Sequence, residues 1–299
     1  MNNVFWQFLS NFIPNKQKRH AFRKKHFVSK TVAPPLSVPS NTYDHLNYIN
    51  RLIQTNLSTF ALHQKTFLPF KSIHLGQEIV ILATGPSAQY YEPISHAIHI
   101  GVNRAFELRK ALCNYYFIQD YSGKTPQYIE ALNNYEPTKC TKFYGLTLEH
   151  DFSFNRTIPE IHALKAHALR YRTDWANLPT SWGNPEFTYD IAARPLGCFG
   201  SVVFPALQFA LYTHPRKIYL VGCDCSTAGY ACSNEKNFLV PQDIIRAYRF
   251  FKLFVEKYYP DIEIVSINPI GLKGIFKDEY TATYLAQQSN NASSEQNNA

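Results

Sequence analysis

The stretch Glu78-Ile79-Val80-Ile81-Leu82-Ala83-Thr84-Gly85-Pro86-Ser87 decides the reading of the fold. Its apolar run has the length and β-branched character of a strand, predicted over Glu78–Ala83. Thr-Gly-Pro-Ser then makes a turn into the start of a helix. Further short apolar runs are predicted as strands at Ala97–Val102, Tyr115–Gln119, Lys139–Tyr144, Lys217–Val221 and Glu263–Ile267. Helical patterns lie between them, most clearly at Ser201–Leu211 and Asp243–Tyr258, and another precedes them at Tyr43–Leu62. Apolar strands alternating with helices specify an α/β protein with a doubly wound, mostly parallel, Rossmann-like sheet and an N-terminal helical extension.

Outside this body the chain changes character. Of 30 Lys and Arg residues, seven lie in residues 1–30 with no acid among them, and the other 269 residues carry 23 basic and 22 acidic side chains. The net charge of +8 is therefore local, and it argues against nucleic acid as the partner of the folded body. Phe5, Phe8, Leu9, Phe12 and Ile13 recur at helical spacing beside Trp6, and the basic run of residues 16–26 follows Pro14. Apolar rings followed by cations suit attachment to an anionic membrane surface. The charges follow the apolar stretch, the reverse of a signal peptide. Thr31–Asn41, with three prolines and no charge, reads as a linker. The expected domain layout is thus a basic segment at 1–30, a linker at 31–42, one catalytic α/β domain at 43–286 and a low-complexity, disordered tail at 287–299. Leu196–Tyr212 lacks charge but holds Pro205 and Gln208, and reads as a buried helix rather than a membrane span. Residues 174–194 form a polar stretch of the length of a substrate loop or lid.

Ligands of an open parallel sheet bind at the carboxyl ends of its strands, and a helix start there presents N–H groups to phosphate. Gly85 permits close backbone approach, while Ser87 either caps the turn or donates to a ligand oxygen. Three more predicted strand ends finish in polar groups, at Asn103, at Gln119–Asp120 and at Asp224. If parallel neighbours, they form one edge with Thr84. The turn matches neither G-x-G-x-x-G nor a P-loop, which disfavours dinucleotide and ATPase sites. Cys223-x-Cys225 with Cys232 lacks the second ligand pair of a zinc site, so no metal centre is assigned.

Three blocks, Ala83-Thr84-Gly85-Pro86-Ser87, Val102-Asn103-Arg104-Ala105-Phe106, and Gly200-Ser201 leading to Arg216-Lys217-Ile218-Tyr219-Leu220-Val221-Gly222-Cys223-Asp224, together resemble the bacterial lipooligosaccharide sialyltransferases. The same motif order, across about residues 76–270, is similar to motility-associated flagellin glycosyltransferases and archaeal pterin pyrophosphokinase-like proteins. The resemblance implies an inverting glycosyltransferase with a nucleotide-sugar donor, CMP-sialic acid being the donor of the first family, and no obligatory metal. It places nucleotide contacts on Thr84, Gly85, Pro86, Ser87, Asn103, Gln119, Gly200 and Ser201, with Ser226 and Tyr230 at the positions supporting the leaving phosphate. The family's histidine base has no counterpart, because no histidine follows His214. Carboxylates can serve instead, with Asp224 and Asp120 the candidates and Asp243 behind them. The expected acceptor is a bacterial surface glycan or glycolipid such as lipooligosaccharide or capsule, reached from the cytoplasmic membrane face. Two alternatives stand beside this reading: a Mg²⁺-dependent pterin pyrophosphokinase-like transferase, and a non-catalytic nucleotide- or glycan-binding protein.

Overall fold

The computed structural model describes residues 42–119, 126–146, 168–173, 187–232 and 241–296. The basic segment, nearly all of the linker, Asp120 and most of the 174–194 stretch lie outside them. Eight strands form a single open sheet: β1 (Glu78–Leu82), β2 (Ile98–Val102), β3 (Tyr115–Ile118), β4 (Thr141–Leu146), β5 (Ala168–Arg172), β6 (Lys217–Val221), β7 (Glu263–Ile267) and β8 (Lys277–Glu279). Their order is β5-β4-β3-β2-β1-β6-β7-β8, and every pairing is parallel. The chain first builds outward from β1 to β5, then returns to pair β6 on the other side of β1. That reversal makes the β1–β6 boundary the topological switch point, where open α/β sheets carry their ligands.

The helices among the described residues are α1 (Thr42–Phe67), α2 (Pro126–Asn134), α3 (Val203–Tyr212), α4 (Pro241–Tyr258) and α5 (Ala282–Gln296). Period-two alternation sends Ile79, Ile81, Ile100 and Phe117 to one face, against α3, α4 and the end of α1. Val80, Leu82, Tyr116 and Ile118 go to the other, with Leu132 of α2 and Ala88 of the turn after β1. Every residue of α3 is buried, as the uncharged 196–212 stretch predicts. The first face is ring-rich: Phe117 and Phe143 stack at 4.6 Å, and Phe209 lies 4.9 Å from Phe143.

The sheet has two strands more than predicted, and they are its two edges. In β5, Leu169 and Tyr171 alternate with Arg170 and Arg172, the mark of a half-buried edge strand. β8 contains no apolar residue and exists because its backbone pairs with Val265–Ile267. The tail expected to be disordered from residue 287 is instead the helix α5, continuing to Gln296. Its Ala and Gln content permits a helix, and its first turn is anchored by Tyr284 against Tyr90 and by Thr281 bonded to Asn268. Among the described residues no helix is long and apolar enough to cross a membrane.

Candidate functional site at the sheet switch point

The register aligns the predicted strand ends. Leu82 is level with Gly101 of β2 and with Val221 of β6, and Val102 is level with Phe117 of β3. Thr84, Asn103 and Gln119, with the Gly222–Asp224 turn, thus close four adjacent strands, spanning roughly 14 Å at ordinary strand spacing. A nucleotide is of that size.

At the centre, the turns after β1 and β6 lock into each other. Gly85 N–H donates to the Gly222 carbonyl at 2.8 Å. A Cβ on Gly85 would stand 2.5 Å from that carbonyl oxygen and 2.6 Å from the Asp224 carboxyl carbon, so only glycine allows the approach. Gly222, at φ +66, is equally constrained, since its Cβ would lie 2.6 Å from the Ala83 carbonyl oxygen. Ser87 N–H donates to Asp224 Oδ2 at 2.7 Å, and its hydroxyl donates to Asp224 Oδ1. Asp224 is 4% exposed. Burial raises its carboxyl pKa above the usual carboxylate value, while the two bonds from Ser87 pull it down.

This geometry corrects two expectations. Asp224, a candidate base, has both oxygens engaged by Ser87 and little access to solvent. Ser87 spends its N–H and hydroxyl on Asp224 rather than offering them to a phosphate. An internal carboxylate thus satisfies the start of the Pro86–Tyr90 3-10 turn, and Asp224 acts as a positioning residue that fixes the β1 turn. Thr84, Gly85 and Pro86 remain half-buried at the surface of that turn.

The flanking strand ends are held by side chains. Asn103, left-handed at φ +46, receives Tyr116 Oη on its carbonyl at 2.9 Å. Asn tolerates that conformation better than other non-glycine residues. Gln119 Nε2 donates to Thr173 Oγ1 at 3.4 Å and its Oε1 accepts from Cys198 Sγ at 3.1 Å, tying β3 to the end of β5 and to the loop before α3. In that loop Gly200 is exposed at φ +77, and Ser201 Oγ accepts Val203 N–H at 3.4 Å. The loop is set by Gln208, 1% exposed, which donates to the Gly197 and Phe204 carbonyls and accepts from Gly197 and Thr188 N–H. Gly200, Ser201 and the start of α3 therefore reach the same carboxyl edge.

Residues 225–232 fold over the switch point, because Ala231 N–H donates to the Thr84 carbonyl at 2.8 Å. Half-buried Tyr230 is thereby placed beside the Thr84 turn. Ser226 Oγ is buried and has no hydrogen-bond partner among the described residues. Cys223 is a protonated thiol, pushed up to about 12 by burial, and burial raises Cys225 as well. Among the described residues no three His, Cys, Asp or Glu side chains converge as metal ligands.

Sequence reasoning missed Tyr284, Gln208 and His63. Tyr284 of α5 lies close enough to Asp224 for its charge, after burial, to raise the phenol. Gln208 had one signal, a lone amide inside an uncharged helix. His63 Nδ1–H donates to the Ile191 carbonyl at 2.8 Å, and its Nε2 accepts Arg172 N–H at 2.8 Å, so its ring is neutral. It fastens α1 to the carboxyl end of β5.

The class that fold and site define is an open, doubly wound α/β protein with polar strand ends gathered at its switch point. No protein-family model, curated protein or solved structure matches the chain.

Proposed function

We propose that the protein is a glycosyltransferase that takes a nucleotide-sugar donor, a CMP-sugar in the first instance, and glycosylates a bacterial surface glycan or glycolipid. The observation that carries this reading is the alignment of Thr84, Asn103, Gln119 and the Gly222–Asp224 turn on four adjacent strand ends, with Gly200–Ser201 and the start of α3 beside them. Thr84, Asn103 and Gln119 supply neutral hydrogen-bonding groups suited to base and ribose, and the α3 N-terminus supplies the positive end of a dipole to phosphate. Tyr230 and Ser226 border the turn on which the leaving phosphate would rest.

The reaction is an inverting displacement: the acceptor oxygen bonds to the anomeric carbon, the glycosyl–phosphate bond breaks, and the nucleotide leaves with the electron pair. Asp224 keeps the Thr84–Ser87 turn in place, and Asp120, next to Gln119, is the leading carboxylate for the acceptor proton, with Asp243 behind it. The basic segment at 1–30 holds the enzyme peripherally on the cytoplasmic face of the membrane, where lipid-linked acceptors are found.

Thermal shift with CMP, UDP, GDP and ATP, each with and without Mg²⁺, tests the reading. Stabilisation by CMP without metal is the expected result. Stabilisation only by ATP with Mg²⁺ would replace it with pyrophosphoryl transfer, and no response to any nucleotide would leave a glycan-binding protein.

A further inference from the structure

We infer that the outer face of α4, with Tyr189 beside it, is a seat for an anionic bilayer surface, separate from the basic N-terminal segment. One side of α4 is spent on the core, where Ile245, Ala247, Tyr248, Phe251 and Val255 are buried. The opposite side presents Arg246, Phe250, Leu253 and Lys257, spaced as one helical stripe and all exposed. Phe250 is 51% and Leu253 61% exposed, two large apolar side chains in water between two cations. Tyr189 and Tyr258 extend the patch, ring to ring at 5.5 Å, with Lys257 Nζ 4.9 Å from the Tyr258 ring centre.

Charge decides the occupant. Among the described residues Arg246 and Arg249 pair with no carboxylate, whereas Glu256 faces Lys252 at 3.9 Å and Asp243 sits in the first turn of α4. The centre of the stripe therefore combines free cations with apolar groups. A bilayer interface accepts both, with Phe250 and Leu253 entering the headgroup boundary while Arg246, Arg249 and Lys257 meet lipid phosphates. Nucleic acid would take the cations and leave the apolar pair in water. The rest of this sheet face agrees, because α1 packs on it and exposes Ile53, Leu57 and Phe60 along one stripe. Residues 1–30, basic and aromatic, precede that helix in the chain. Because α4 is anchored in the core, it presents the patch preformed.

The test is co-sedimentation of the full chain with vesicles of phosphatidylglycerol and phosphatidylcholine in equal parts, against phosphatidylcholine alone. The wild-type protein should prefer the anionic vesicles. The full-length F250E/L253E variant should partition about tenfold less at an unchanged thermal midpoint. In a background carrying R23E/K24E/K25E, the same pair should remove the binding that remains. Equal partitioning of wild type and F250E/L253E in both backgrounds would overturn the inference. A wild-type dimer in light scattering that F250E/L253E converts to a monomer would overturn it too, making the face a contact between two copies.

Discussion

The two ends of the sheet handle charge in opposite ways. At the amino end, Glu78 opens β1 and accepts Arg216 Nη2 at 2.6 Å, His96 Nε2 at 2.9 Å and Tyr219 Oη at 3.3 Å. Next to it Glu263, the first residue of β7, binds Lys217 at 2.7 Å and Lys277 at 3.1 Å. Negative charge there is met by positive charge. At the carboxyl end, Asp224 is buried and, among the described residues, its carboxylate is held by the neutral donors of Ser87. One end is a closed set of ion pairs. The other is a preformed frame of glycine turns and fixed amides at four adjacent strand ends. Changes at the carboxyl end should therefore be costly and sensitive to pH, and changes at the amino end mild and sensitive to salt.

The largest effect should come from Gly85→Ala. The added methyl has nowhere to go between the Gly222 carbonyl and Asp224, so the two turns must part, at about 3 kcal/mol or more of stability. Gly200→Ala is the control, since its Cβ would meet nothing within 4 Å and only its φ of +77 is strained, at about 1 kcal/mol. Urea denaturation of both variants measures the gap. Equal losses would mean that the interlock contributes nothing.

His63 gives the carboxyl end its sensitivity to acid. Burial holds its pKa down to about 4. Between that value and an unfolded pKa of about 6.5, the unfolded chain binds a proton that the folded chain does not, so stability falls as pH falls through this window. The full step is about 3 kcal/mol. Thermal midpoints taken from pH 7 to 4.5 should fall steeply in the wild-type protein. His63→Gln should lower the midpoint at pH 7 and flatten the fall, and an unflattened curve would assign the acid sensitivity elsewhere.

These two positions also show where the sequence is legible and where it is not. Six interior strands announce themselves because burial on both faces demands continuous apolar runs, as in Ile79–Leu82. The edges β5 and β8 do not, since one alternates with arginines and the other is formed wholly by backbone pairing. The polar strand ends at Thr84, Asn103, Gln119 and Asp224 could be read as a site because parallel strands must bring such ends together. What those groups do to one another was hidden, for Ser87 and Asp224 lie 137 residues apart. His63 and Gln208 stayed hidden for the same reason. Their partners at 188–197 belong to an aperiodic stretch, and only tertiary packing gives each side chain its role.

The Ser87–Asp224 link sets the middle of the scale. Asp224→Ala strands a buried N–H and a buried hydroxyl, at about 2 kcal/mol. Asp224→Asn keeps an acceptor for one of them and should cost less. The wild-type carboxyl is raised by burial, so the fold favours its protonated form. That contribution to stability is greatest below the unfolded carboxylate pKa and is lost as pH rises through the folded one. Asn removes this term, opposite in sign to that of His63. Urea titrations of both variants at pH 4 and pH 7 should show the Asn variant gaining on the wild-type protein as pH rises. A constant difference would place the Asp224 carboxyl outside the titrating range.

At the amino end, Glu78→Gln should be the mildest change. The carboxylate is buried, but Arg216 and His96 are 61% and 65% exposed, and water takes over their solvation when the charge is removed. A glutamine carbonyl still accepts one hydrogen bond, so the loss should stay below about 1 kcal/mol and shrink as salt screens the pair. Melting wild type and Glu78→Gln at low and high ionic strength compares them directly. A salt-independent loss of several kcal/mol would show that this end too is held by buried, unscreened charge, and the contrast between the two ends would fail.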